Sequence, residues 1–97
     1  MKAVFIAYNQ ALTEAVNNLL DRRSVKGFTQ WADVHGRGSR SGEPHFGTHT
    51  WPAMNSAILA ITQDEQVGPL LKSLHKLDVK AEQQGLRAFV LNIEEMI

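Results

Sequence analysis

The sequence predicts an α+β fold in which four strands and two helices follow one another in the order βαββαβ. Two short runs, Lys2–Tyr8 and Ser56–Thr62, are rich in apolar and strand-forming residues, as in strands covered on both faces. Each is followed by a segment in which apolar residues recur every three or four positions, as in helices that bury one side. Two more strand-like runs, Phe28–His35 and Leu86–Ile93, complete the set.

The first helix is predicted to begin after Asn9, a residue type that favours the N-cap position. Its apolar stripe consists of Leu12, Ala15, Val16, Leu19 and Leu20. Gly27 ends this segment, and the alternation from Phe28 to His35 predicts a half-buried second strand. The predicted sides of that strand are Phe28, Ala32 and Val34 on one and Thr29, Trp31, Asp33 and His35 on the other.

The second helix is predicted to open with a capping box formed by Thr62 and Glu65. Its apolar stripe consists of Val67, Leu70, Leu71, Leu74 and Leu77. Pro69 removes a backbone hydrogen bond unless it lies near the first turn, so we expect a kinked or late start. A polar stretch from Asp78 to Gln84 and then Gly85 separate this helix from the last strand.

The predicted order of elements is that of the ferredoxin-like fold, a four-stranded antiparallel sheet with two helices on one face. The 97 residues form one domain, because a chain of this length cannot build a second core. The first strand is apolar on both sides, with Ala3, Phe5 and Ala7 alternating with Val4, Ile6 and Tyr8. We therefore expect a second copy of the chain to cover the open face, which predicts an obligate oligomer.

Composition excludes several classes of protein. Ten basic and ten acidic residues cancel, which argues against a general binder of nucleic acid. The absence of cysteine excludes disulfides, zinc-thiolate sites and thiol nucleophiles. The apolar run at the start is too short for a signal peptide or a membrane span, so we expect a cytoplasmic protein without membrane insertion.

A long segment without periodicity, GRGSRSGEPHFGTHTWP, runs from Gly36 to Pro52 between the second and third strands. Loops of this length are usually functional or disordered. Phe46 and Trp51 favour a functional loop, because disordered linkers contain few aromatic residues. We therefore expect the segment to bind a ligand or a partner.

The start of this segment has a chemistry suited to anions, since glycines let backbone N–H groups converge and arginines donate in pairs. The residues concerned are Gly36, Arg37, Gly38, Arg40 and Gly42. Two phosphate fingerprints do not fit, because Ser41 replaces the third glycine of the dinucleotide motif and Glu43 follows Gly42 where a P-loop has lysine. A flexible turn with solvated arginines explains the same residues equally well.

Histidines offer a second chemistry. His45 and His49 are four residues apart, with His35 and Glu43 nearby, which supplies enough donors for a zinc, nickel or copper site completed by a neighbouring subunit where needed. This spacing brings two side chains together on a helix rather than in a loop, so exposed loop imidazoles are the simpler interpretation. His75 is predicted to be a solvated residue of the second helix.

An enzyme is the third class that the residues allow. Ser39, Ser41 and Thr48 are available as nucleophiles, and His49 is available as a base. Such sites are recognised by their geometry rather than by residue type, so the enzyme class receives the least weight.

Four stretches together resemble the PII nitrogen-regulatory signalling proteins and their PII-like relatives over nearly the whole chain. They are Met1–Tyr8, Val25–Gly42 (VKGFTQWADVHGRGSRSG), Ile61–Leu74 (ITQDEQVGPLLKSL) and Phe89–Ile97 (FVLNIEEMI), of which the second is the most specific. The resemblance implies a non-enzymatic homotrimer that binds a nucleotide or another anion in clefts between subunits. It also implies that residues 36–52 are a mobile T-loop that docks on a transporter, an enzyme or a regulator.

The resemblance also implies roles for single residues. Gly36, Gly38 and Gly42 match the hinge and phosphate-facing base of the T-loop, and Thr29 matches a position near the adenine. Arg40 stands where the family has a ligand-sensing glutamine. The expected ligand-binding set is Thr29, Gly36, Arg37, Gly38, Arg40, Gly42 and Arg87.

Three departures from the family pattern point to the PII-like outgroup, whose effector is another nucleotide, an anion or a metal. The second glycine-rich loop is reduced to Gln83, Gln84 and Gly85, with Arg87 as the nearest base, and the family's C-terminal arginine pair has no counterpart up to Ile97. The only tyrosine is Tyr8, which excludes uridylylation of a T-loop tyrosine. The trimeric divalent-cation-tolerance proteins share the fold, so a metal-binding trimer that uses the loop histidines is the alternative.

Overall fold

The computed structural model describes residues 1–37, 42–50, 52–81 and 84–97. Within them the chain forms β1 (Lys2–Asn9), a 3-10 turn (Gln10–Leu12), α1 (Thr13–Arg22), β2 (Phe28–Val34), β3 (Asn55–Thr62), α2 (Asp64–Lys80) and β4 (Arg87–Asn92). The strands form one antiparallel sheet in the order β2-β3-β1-β4. This confirms the predicted α+β, ferredoxin-like order. No helix among the described residues is long and apolar enough to cross a bilayer.

The core lies between the two helices and one face of the sheet. Val4, Ile6 and Tyr8 of β1 are fully buried there. They form one cluster with apolar residues of both helices, of β3 and of the neighbouring segments: Val16, Leu19, Leu20, Val25, Ile58, Ala60, Leu70, Leu74 and Leu86. Burial of one such aliphatic side chain contributes roughly 1.5–3 kcal/mol. Most residues of the two predicted helix stripes therefore hold the helices on the sheet, whereas Ala15 and Val67 lie outside this cluster.

The other face of the sheet carries no helix within the described part of the chain. The strand register places Thr29, Leu59, Phe5 and Phe89 in one row across this face, and Trp31, Ala57, Ala7 and Arg87 in the next. Phe89 is 56% exposed, Leu91 51% and Trp31 45%. The predicted open and apolar face is confirmed.

Strand β2 differs from its prediction. It ends at Val34 rather than His35 and is exposed almost throughout rather than half-buried, because it is an edge strand that pairs with β3 alone. A register shift between Trp31 and Val34 breaks the alternation, and Asp33 adopts a left-handed φ of 57° there. Aspartate tolerates this conformation better than most residues. Val34 therefore pairs with Asn55 and shares the face of Trp31, not that of Phe28 as predicted.

The first helix starts later than predicted. Asn9 does act as a cap, since its side-chain oxygen accepts a hydrogen bond of 2.9 Å from the N–H of Ala11. The structure that it caps is the 3-10 turn, and α1 begins only at Thr13.

The second helix begins one residue later than the predicted capping box. Thr62 is still part of β3, where it pairs with Lys2 and is buried. Gln66, not Glu65, closes the first turn, because its Oε1 accepts a hydrogen bond of 2.7 Å from the N–H of Gln63. The helix then continues through the polar stretch to Lys80, with Pro69 inside it.

The segment 36–52 is held by two isolated antiparallel bridges outside the strands. Gly36 and His45 form an antiparallel bridge with two backbone hydrogen bonds of 3.1 and 2.6 Å. Phe46 and Met54 form a second bridge, beside which the N–H of Gly47 donates to Ala53 at 2.9 Å. The long segment is therefore divided into two consecutive short loops, although Trp51, on which its predicted order partly rested, lies outside the described residues.

Candidate functional site: a cleft on the open face of the sheet

A cleft of about 460 Å³ lies on the open face, at the end of the sheet where β2 leaves it. The row Trp31, Ala57, Ala7 and Arg87 explains why it forms, since two small residues on the central strands lie between two large ones on the edge strands. Phe5 and Phe89 of the adjacent row close one side. The volume lies within the range of small-molecule sites.

The rim of the cleft joins two segments that are distant in the sequence. Gly36 and Arg37 come from the start of the long segment, and Gly85 and Arg87 come from the connection into β4. Arg37 is exposed, and no acidic side chain among the described residues lies within ion-pair distance of it. A pair of guanidinium groups beside glycine backbone is an arrangement that binds anions.

Arg87 is partly engaged within the chain. Its Nη1 donates a hydrogen bond of 2.7 Å to the carbonyl of Leu86 and lies 3.7 Å from Oδ2 of Asp78 on α2. Both side chains of this ion pair are partly exposed, so the pair contributes little to stability, about 0–1 kcal/mol. An anion in the cleft that binds the Arg87 guanidinium more strongly than Asp78 does can therefore draw it away from Asp78 at little cost in free energy.

His45 is buried rather than exposed, which contradicts the simpler interpretation of the loop histidines. It is 5% exposed, and its Nδ1 lies 2.6 Å from Oδ1 of Asn55, which is equally buried. Because an amide oxygen only accepts, Nδ1 carries the hydrogen in this pair. His35 and His49 are exposed, and the ring of His35 lies 5.8 Å from that of Phe46. His75, exposed on α2, fits its prediction.

The proposed metal ligands are not gathered within one chain. Among the described residues, which include His35, Glu43, His45 and His49, no three histidine or acidic side chains are close enough to hold a metal ion. A site made by these residues would need ligands from a neighbouring subunit. Metal binding therefore stays a prediction.

The cleft brings together some of the predicted ligand residues. Gly36, Arg37 and Arg87 line it. Thr29 lies on the same face, in the adjacent row, but outside the lining, and Gly42 also lies outside it. Gly38 and Arg40 lie outside the described residues.

Sequence reasoning missed most of the residues that line the cleft on the sheet itself, among them Phe5, Trp31, Asn55 and Phe89. Strand alternation did place Trp31 beside Thr29, but only the register across four strands shows that it adjoins two alanines. Nothing in the local sequence marks Asn55, because its role depends on the return of the chain at His45.

Comparisons with known proteins identify the family of this chain. The family model of the nitrogen regulatory protein P-II matches the chain over residues 1–97. CPII, a nitrogen regulatory PII-like protein from Thiomonas intermedia K12, has been solved bound to ADP, AMP and bicarbonate; it is 26% identical, with 97% of this chain and 88% of that chain covered and a TM-score of 0.70. No curated protein matches the chain in sequence.

Two further solved structures share the fold. The apo form of the same CPII gives 24% identity, with 95% of this chain and 89% of that chain covered and a TM-score of 0.67. A putative PII-like signaling protein from Thermus thermophilus gives 22% identity, with 95% and 85% covered and a TM-score of 0.69. With a family model that matches from the first residue to the last, the chain belongs to the nitrogen regulatory protein P-II family.

Proposed function

We propose that this protein is a non-enzymatic PII-like regulator that binds a small anionic effector in the cleft and relays its presence to a partner protein. The effector that fits best is an adenine nucleotide. The observation that carries the proposal is the cleft itself, since it joins an apolar half to a cationic rim at the base of the segment 36–52.

The two halves of the cleft match the two halves of a nucleotide. Trp31 and Phe89 offer aromatic faces on which a base can stack. Arg37 and Arg87 offer guanidinium donors for phosphate oxygens, and the backbone of Gly36 permits close approach. CPII, 26% identical to this chain, has been solved with ADP, AMP and bicarbonate, which supports the same ligand class here.

A homotrimer is the assembly that we propose. Phe89, Leu91 and Trp31 are large apolar residues on one open face, and such a face is stable in water only when a partner covers it. Copies of the same chain would cover it and complete the cleft from the other side. The protein would act in the cytoplasm, where nucleotides and its partner protein are available.

The relay follows from the position of the rim. Gly36 and Arg37 belong to the cleft and to the first residues of the long segment, so a ligand that contacts them favours one arrangement of that segment over others. The ligand shifts the population only as far as its affinities for the arrangements differ. A transporter, an enzyme or a regulator that binds one arrangement would then sense the nucleotide.

Calorimetry with ADP, AMP, ATP and adenosine tests the proposal. We expect Arg37→Gln and Arg87→Gln each to weaken ADP binding by about tenfold or more, because a charge-assisted hydrogen bond contributes about 1.5–3 kcal/mol. Arg22→Gln, on the helical side, is the matched control and should bind as the unaltered protein does. If none of the nucleotides binds at up to about 1 mM, the nucleotide proposal is wrong.

A further inference from the structure

Asn55 is a buried polar side chain in the wall of the cleft. It is 5% exposed and lies at the start of β3, where it pairs with Asn9 of β1 and with Val34 of β2. Burial of an amide costs free energy unless both its oxygen and its NH₂ group find partners. The two ends of this amide therefore have to be accounted for separately.

The oxygen is accounted for by His45. The Nδ1–H of His45 donates to Oδ1 of Asn55 across 2.6 Å, and both residues are buried. In this tautomer the imidazole holds the oxygen of the amide, and the NH₂ group lies against Gly36. His45 is in turn held by its two backbone hydrogen bonds to Gly36.

The nitrogen is not accounted for within the described chain. No hydrogen bond joins Nδ2 to an acceptor among the described residues. This nitrogen lies against Gly36, so that a Cβ atom added to Gly36 would overlap it. Gly36 and Asn55 both line the cleft, next to Arg37. The NH₂ group is thus a fixed donor at the cationic rim.

We propose that Asn55 is a ligand-binding residue whose Nδ2–H donates to an anionic oxygen of the effector, and that His45 is the positioning residue that aims it. That this oxygen belongs to a phosphate of an adenine nucleotide rests on the proposed function. That Asn55 offers a donor to the cleft does not. The glycine at position 36 leaves the space through which the amide and the anion meet. A ligand without an oxygen acceptor at this place would displace water from this donor without replacing its hydrogen bond, and would bind less well.

The side-chain amide signals of Asn55 in a ¹H–¹⁵N spectrum give a direct test. We expect them to shift when ADP or inorganic pyrophosphate is added and to stay in place with adenosine, which carries no phosphate. If neither ADP nor pyrophosphate moves them, the proposal is overturned. If pyrophosphate moves them and no nucleotide binds, the Asn55 donor stands and the nucleotide function fails.

Substitutions distinguish the loss of the Asn55 donor from a loss of folding. Asn55→Asp keeps the shape and an oxygen for His45 but replaces the donor, so ADP affinity should fall by about tenfold or more while adenosine affinity is retained. Asn92→Asp makes the same change at the opposite end of the β1 ladder and should have no effect. Wild-type ADP affinity in Asn55→Asp would overturn the proposal and leave the proposed function intact. If Asn55→Asp does not fold, Asn55→Leu removes the donor without adding a charge, and the same comparison decides.

The role of His45 has its own variants. His45→Phe keeps a ring but cannot donate, so ADP binding should weaken severalfold, with adenosine binding retained. His45→Asn places an amide nitrogen near the position of Nδ1 and should recover part of the loss. A purely structural histidine predicts the opposite pattern, in which both variants lower the unfolding temperature and affect ADP and adenosine alike.

Discussion

On the helix-covered face of the sheet, Val4, Ile6 and Tyr8 of β1 are fully buried, whereas on the open face Phe89 and Leu91 of β4 remain more than half exposed. The two faces are made by the same strands and differ only in which alternate residues they present. One face is completed by helices of its own chain. The other face carries exposed apolar side chains, a cleft and two arginines, and no helix of the described chain covers it. The same strands therefore form the core with one set of alternate residues and the cleft with the other.

The largest expected effect comes from a charge on the open face. In Leu91→Lys, an ammonium group would be buried against a neighbouring copy without a partner, so we expect the assembly to dissociate into single chains. Light scattering coupled to size exclusion measures this. Val79→Lys, the same change at an exposed valine of α2, is the control and should leave the assembly intact. A Leu91→Lys protein of unchanged mass would show that copies do not meet on this face.

The next effect is on the helix-covered face. Ile6→Ala removes a fully buried side chain and should lower the free energy of unfolding by about 2–5 kcal/mol. Ile61→Ala, on the open face and only partly buried, should lower the free energy of unfolding clearly less. Both variants are made in the Leu91→Lys background for this comparison. Urea titration gives both values. Equal losses would mean that the open face is as tightly packed as the core.

A smaller effect is expected where the cleft meets the long segment. A methyl group on Gly36 would overlap the side-chain nitrogen of Asn55, so Gly36→Ala should lower the free energy of unfolding by about 1–3 kcal/mol. Gly27→Ala is the matched control, because nothing lies within 4 Å of the added atom. Its unfolding midpoint in urea should stay close to that of the unaltered protein. Equal shifts for the two variants would contradict the contact.

The smallest effect concerns Asp64, at the start of α2. The ammonium group of Met1, which donates a hydrogen bond of 2.9 Å to Asp64 and also attracts it by charge, lowers the pKa of this carboxyl group. A carboxyl group whose pKa is lower in the folded than in the unfolded state stabilises the fold above its unfolded pKa, and this contribution is lost as pH falls through the folded pKa. Asp64→Asn should therefore remove a small part of the acid sensitivity of the unfolding midpoint, leaving the midpoint at low pH unchanged. A midpoint lowered equally at all pH values would contradict this.

The parts of the fold that depend on local pattern could be predicted from the sequence. The apolar runs of β1 and β3 and the helix stripes are properties of neighbouring residues, and they determined the order of elements. The face of the sheet on which Val34 lies could not be predicted, because a register shift beside Asp33 reverses the alternation of side chains. The cap of α2 was missed by one residue, since Thr62 fits the capping-box pattern and Gln63 does not, whereas the pairing of Thr62 with Lys2 keeps Thr62 in β3.

Residues of the candidate site could be predicted where they lie close together in the sequence. Gly36 and Arg37 could be found because glycine and arginine alternate there, and Arg87 because it is the base nearest to the reduced second glycine-rich loop. Asn55 and His45 could not be paired from the sequence, because ten residues separate them and their contact depends on where the chain turns back. The spacing of the histidines suggested a metal, whereas the structure gives one of them an amide as its neighbour.

The bridge between Gly36 and His45 closes residues 37–44 into a ring, and the bridge between Phe46 and Met54 closes residues 47–53 into another. The two ends of each loop are held together by its bridge. An insertion or substitution within one loop therefore need not displace the other loop or the strands. The sequence of one loop could thus change without altering the other. Under the proposed relay, relatives of this protein could bind different partners while responding to the same effector.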